Sequence, residues 1–170
     1  MSSPKPPSPA GVALAPDSTP VPKSYAKGIA MTPDPWDLCL ALEYGGDRSF
    51  AWSVQQEITR TSPTGWSKLE ARLLAALAKP ACTAAATAFF CEMLALVGSA
   101  KSVPALAALL RRPKTAEAAR YALEAIPGRE ADAALRAALG ELTGAAQAGL
   151  QGSIAARQNA PTAAASTPAR

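Results

Sequence analysis

The stretch AARYALEAIPGREADAALRAAL, residues 118–139, decides how the chain is read. It holds two helical periods separated by a single break. Ala119, Leu123 and Ile126 recur at i, i+4 and i+7 on one helix face. Pro127-Gly128 then interrupts the pattern, because proline cannot continue a helix and glycine accepts turn conformations closed to other residues. A second stripe follows at Ala131, Leu135, Ala138 and Leu139. Alanine dominates both segments and favours helix because its side chain loses no rotamer freedom there.

Working outward, the same leucine block appears three times. Leu73–Leu77 reads LLAAL, Leu106–Leu110 reads LAALL and Leu135–Leu139 reads LRAAL. Pro80 and Pro113 each follow closely on the last leucine of a block. An alanine-rich second helix then ends at Gly98 and again at Pro127-Gly128. Two helices in a period of about 30 residues is the pattern of an α-solenoid, in which one helix pair cannot bury its own apolar side and neighbouring pairs must stack.

The periodicity predicts eight helices in four pairs, over about 34–61, 66–97, 101–126 and 129–157. The first passes through Trp36, Cys39 and Leu40 and stops at Gly45-Gly46. The second carries Phe50, Val54 and Ile58 inward. The third places Trp66, Leu69, Leu73 and Leu77 on one stripe. The fourth, Ala81–Val97, is apolar nearly all round and is therefore expected at the centre, with Gly98 as its C-terminal cap. Val103, Leu106, Leu109 and Leu110 face inward from the fifth. The last helix, from about Thr143 to Arg157, is weakened by Gly144, Gly149 and Gly152. Trp36, Trp52 and Trp66 are all expected in the core. The fold expected is all-α: a short right-handed α-solenoid of stacked antiparallel helix pairs, residues 32–157.

Nine of the sixteen prolines precede Trp36. Residues 1–31 are read as a disordered Pro/Ser/Ala-rich tail with too little apolar surface to offset its ordering entropy. Residues 158–170 read as a second tail.

The run at 118–139 resembles the junction between successive bacterial HEAT repeats, where an A-A-x-A-L helix, a short Gly/Pro turn and an A-L-x-x-A-L helix follow one another. Residues 102–110, SVPALAALL, resemble the opening of the same unit. The resemblance extends over about Trp66–Arg157 and is closest to HEAT-like repeats of the phycobilin-lyase-like type. The chain departs from that pattern in having Pro127-Gly128-Arg129 where many such turns carry an aspartate.

Composition narrows the function classes. There is no histidine in the chain, which removes the usual general base at neutral pH, the Ser-His and Cys-His pairs and any imidazole ligand. No Gly-rich phosphate loop, H-E-x-x-H or G-x-S-x-G occurs. The three cysteines, Cys39, Cys82 and Cys91, have neither C-x-x-C spacing nor an even count, and read as small buried hydrophobes. Sequence neighbours offer Cys82 and Cys91 no cation. No metal and no cofactor are expected. The formal net charge of +4 tilts mildly toward the C-terminal half and falls short of a nucleic-acid footprint. No stretch is long and apolar enough to span a membrane, and no signal-peptide core is present, so a cytoplasmic location is expected.

The resemblance implies a non-enzymatic scaffold that binds another protein or a peptide segment on the face lined by the second helices. Carried onto this chain, that face holds Glu117, Arg120, Tyr121 and Glu124, with Gln147, Gln151 and Arg157 from the last helix. Arg111, Arg112 and Lys114 form a basic corner suited to an acidic partner or to a helix C-terminus. The same resemblance implies two alternatives: an accessory to chromophore attachment, or a HEAT-like nucleic-acid-binding protein.

Overall fold

A computed structural model describes residues 33–159, and the tail expected at 1–31 lies outside the described residues. Every regular element among the described residues is helical. These are α1 (Pro35–Cys39), α2 (Ser49–Arg60), α3 (Trp66–Leu77), α4 (Ala84–Val97), α5 (Val103–Leu110), α6 (Ala116–Ala125), α7 (Arg129–Leu139) and α8 (Gly144–Asn159). Gln158 and Asn159, expected in the second tail, continue α8, and the rest of that tail lies outside the described residues. Short 3-10 turns at Pro63–Gly65 and Ala100–Ser102 lead into α3 and α5. Among the described residues, no helix is long and apolar enough to cross a membrane.

Helix α3 packs on α4, α5 on α6 and α7 on α8. The second members also touch in series, α4 on α6 and α6 on α8, while α5 meets α7. Alanines at these seams, among them Ala86, Ala119, Ala122 and Ala131, are fully buried. They let backbones approach closely while Leu73, Leu94, Leu106, Leu110, Leu123 and Leu135 fill the layers between. Each such leucine contributes about 1.5–3 kcal/mol. As its composition demands, α4 is covered on several sides and buries Phe89, Phe90, Met93 and Leu94.

The expected helix ends shift where polar groups find better partners. Helix α1 ends at Cys39, not at Gly45, because the chain turns to lend the Leu40 and Leu42 carbonyls to Thr83. Thr83 in turn accepts from the Ala86 amide, so α4 begins at Ala84 instead of Ala81. Gly98 does not adopt the left-handed cap; its φ is −70°. Glycine is needed there for space, since a Cβ would stand 2.4 Å from the Leu94 carbonyl oxygen and 2.8 Å from Ile126 Cδ1. Gly128, by contrast, has φ +112° and opens the sharp turn into α7.

Two tryptophans do not join the core. Trp36 is buried, stacked on Phe90, with Arg72 over its ring. Trp52 is 62% exposed, because Ala51, Val54 and Ile58 take the inner side of α2 and leave position 52 outside it. Trp66 is partly exposed and donates its indole N–H to the Thr61 carbonyl.

A buried polar clasp ties α3 to the turn that leads into α5. Glu70 on α3 is almost fully buried. It accepts from the Ser99 amide at 2.7 Å, the Ser99 hydroxyl at 2.8 Å and the Ser102 hydroxyl at 2.6 Å. Burial alone would raise its pKa. The hydrogen bonds from Ser102 and Ser99, with the Lys101 charge, outweigh burial and hold it below the ordinary value of 4.5. Among the described residues, no buried side-chain nitrogen or oxygen lacks a hydrogen-bond partner.

Candidate functional site

A surface groove with apolar walls lies between α4 and α6. It is an open groove of about 600 Å³. Ala88, Met93 and Leu96 of α4 and Ala118 of α6 form its apolar lining. Three large side chains stand out into solvent along it: Tyr44 at 71% exposure, Leu96 at 52% and Tyr121 at 56%. Glu92, Lys114, Glu117 and Arg120 supply charge of both signs.

Helix periodicity explains the placement. On α4, Ala85, Ala86, Phe89 and Phe90 turn inward, so Ala88, Glu92 and Leu96, spaced by four, share an outer strip. On α6, Ala119, Ala122 and Leu123 are buried, and Glu117 and Tyr121 stand outside. Tyr44 comes from the loop between α1 and α2, which turns at Gly45 (φ +81°) and Gly46.

Of the residues expected on this face, Glu117, Arg120 and Tyr121 line the groove, and Glu124 joins it only through Arg120. The Arg120 guanidinium donates to Glu117 at 2.8 Å, to Glu124 at 3.2 Å and to the Ser153 hydroxyl of α8. Hydrogen bonding to Glu117 raises the pKa of Arg120, against the burial that would lower it. Its charge is fixed and largely satisfied, so Arg120 braces the wall instead of reaching outward. Gly149 makes room for this network: a Cβ there would lie 3.2 Å from Arg120 Nε and 3.3 Å from Glu117 Oε1. Gln147 is half-buried and Gln151 exposed, and neither lines the groove.

Arg157 has a different task. Its side chain is only 12% exposed. It donates to the carbonyls of Leu123 (2.9 Å), Glu124 (2.7 Å), Ile126 (2.6 Å) and Gly128 (3.0 Å), and pairs with Asp132. That guanidinium caps the C-terminus of α6 and fastens α8 to the turn before α7. It is engaged within the fold, and it is not among the residues that line the groove.

The basic corner forms part of a second depression of about 530 Å³, lined by Arg111, Arg112, Pro113 and Lys114 with Cys82, Ala84, Thr87 and Thr115. Arg111 is tied to Glu141 by two hydrogen bonds, one of 2.8 Å. This pairing raises the pKa of Arg111 and lowers that of Glu141. Arg112 and Lys114 make no ion pair among the described residues. Arg111, Arg112 and Lys114 share this depression with Cys82. Burial nevertheless raises the Cys82 thiol pKa, as it does for Cys39, to about 11, and Cys91, to about 12.

Tyr44, Glu92 and Leu96 are not legible as site residues from sequence. The one available signal is Leu96 itself, a leucine beside Val97 and facing away from the buried strip of α4. Among the described residues, no group of three or more His, Cys, Asp or Glu side chains is arranged to hold a metal ion. Comparison with family models, with curated proteins and with solved structures finds no match to the chain.

Proposed function

We propose that this chain is a short HEAT-like α-solenoid and a non-enzymatic scaffold, binding a segment of another protein along the groove between α4 and α6. The solenoid reading is supported by the serial contacts of second helices, α4 to α6 to α8, beside those of first helices, α5 to α7. It is supported also by the recurrence of the leucine block at Leu73, Leu106 and Leu135.

The observation that carries the binding reading is the convergence of Tyr44, Leu96 and Tyr121 on one open groove, each more than half exposed. Tyrosine offers a broad apolar surface and a polar tip while fixing few rotatable bonds, which suits a contact surface. Apolar side chains gathered in one exposed place mark interaction sites more often than single exposed ones do.

Photocrosslinking tests the reading. A benzophenone residue is placed at Tyr121, at Tyr44 and, as a control on another face, at Trp52 in the full chain expressed in its own cell. The reading expects a shared discrete adduct from 121 and 44, absent from 52, and lost when Leu96→Asp is added. No adduct from either tyrosine position, or the same adduct from position 52, would overturn it.

A further inference from the structure

Lys114 lines both depressions: the tyrosine groove and the basic cleft meet at its side chain. They are adjacent on α4 as well, where Thr87 belongs to the cleft and Ala88 to the groove. The combined channel follows α4 from Ala84 to Leu96, about 18 Å at the helical rise. An extended peptide of about five or six residues covers that length.

The two parts of the channel differ in character. Leu96, Tyr44 and Tyr121 line the groove and not the cleft. Arg111 and Arg112 line the cleft, Lys114 stands where cleft and groove meet, and the acids nearby are accounted for: Glu141 is engaged by Arg111, and Glu117 by Arg120. Glu92 is the remaining acid along the channel, and it lies in the groove, away from the cleft. The cleft also contains the first residue of α4, Ala84, and the residue preceding α6, Thr115. Both helices therefore begin at the cleft and turn the positive ends of their dipoles toward it, adding to the charge of the side chains.

We infer that the occupant of the channel is a peptide segment carrying an apolar stretch beside acidic side chains, with its apolar part between Tyr44 and Tyr121 and its carboxylates over Arg112 and Lys114. The inference rests on the groove reading above and adds the chemistry and orientation of the ligand. Charge complementarity selects an acidic segment: Arg112 and Lys114 are exposed cations without ion-pair partners among the described residues, and they stand in the cleft and where it meets the groove.

Selection from a library of random short peptides displayed on phage, with the intact chain as bait, tests it. Peptides combining aromatic or aliphatic residues with adjacent Asp or Glu should be enriched. A fluorescent copy of a selected peptide should bind about tenfold or more weakly to the Arg112→Glu, Lys114→Glu double variant, and more weakly as salt is raised. Both positions are exposed, and circular dichroism checks that the variant remains folded. Enrichment of apolar peptides without acidic residues, bound equally by the double variant, would overturn this inference and leave the groove reading intact. Acidic peptides whose binding ignores Tyr121→Ala and Leu96→Asp, or a selection with no enrichment at all, would overturn the groove reading and this inference with it.

Discussion

Replacing Arg157 by methionine tests the packing of the last helix more sharply than any other change. Methionine keeps much of the aliphatic length and removes the guanidinium. The side chain donates to four main-chain carbonyls around the end of α6 and to Asp132. A cation at a partly buried helix C-terminus contributes up to about 2 kcal/mol. Of the carbonyls left without a donor, the Ile126 oxygen belongs to a buried residue, and stranding it costs about 1 kcal/mol more. The expected loss is therefore about 3 kcal/mol, a large share of the roughly 5–15 kcal/mol of a domain this size. Urea unfolding followed together by helical circular dichroism and tryptophan fluorescence reads it. At a slope of about 2 kcal/mol per molar the midpoint falls by about 1.5 M. Arg157→Lys restores part of the loss, because one ammonium cannot span all four carbonyls. A loss below about 0.5 kcal/mol for Arg157→Met, the range of ordinary surface substitutions, would refute the assignment.

Three further expectations concern the interior. Glu70→Gln should cost about 1–2 kcal/mol at neutral pH, since an amide cannot accept from Ser99 and Ser102 as a carboxylate does. Because the folded pKa of Glu70 lies below its ordinary value, its contribution is complete above that value and is lost as pH falls through the folded pKa. The lead of the wild type over Glu70→Gln should therefore shrink in acid, and equal differences at neutral and acidic pH would contradict the clasp. With a thiol reagent under native conditions, the partly exposed Cys82 should react first, while the buried Cys39 and Cys91 wait for unfolding; three equal rates would contradict their burial. Leu106→Asp or Leu123→Asp, each at a fully buried position, should cost more than about 4 kcal/mol and unfold the domain, and an unchanged thermal melt for both would refute the packing.

The helices are legible because their signals are local. Pro80, Pro113 and Pro127-Gly128 mark breaks, and Leu123, Leu135 and their neighbours fall at helical spacing, so both facts are written within short stretches of chain. The groove is legible only in half. Glu117, Arg120 and Tyr121 follow from the period of α6, whereas Tyr44 and Leu96 reach the same place from the loop after α1 and the end of α4. No local pattern encodes that meeting. Arg157 misleads for the same reason: on its own helix it reads as an outward charge, and its carbonyl partners belong to the end of α6 and the turn that follows. Cys82 comes to share a depression with Arg111, Arg112 and Lys114 by the same long-range folding. The error over Trp52 is of another kind, since aromatic size suggests burial while its phase on α2, between Ala51 and Val54, argues against it.

The charged residues divide by what they hold. Glu70, Arg120 and Arg157 are engaged with neighbouring helices and turns, and the seams they brace are made of alanine and leucine. Tyr44, Leu96, Tyr121, Arg112 and Lys114 have no comparable engagement within the fold, each being mostly exposed or without an ion pair among the described residues. Burial sets the contribution of an apolar side chain to stability, so truncating the first three should leave the unfolding midpoint nearly where it was. Large apolar groups at such positions lower solubility without stabilising the fold. The contact proposed above would supply the compensating gain. The same logic separates the two classes in experiment: variants at Arg157 or Glu70 move stability first, and variants at Tyr121 or Leu96 move binding while stability stands still.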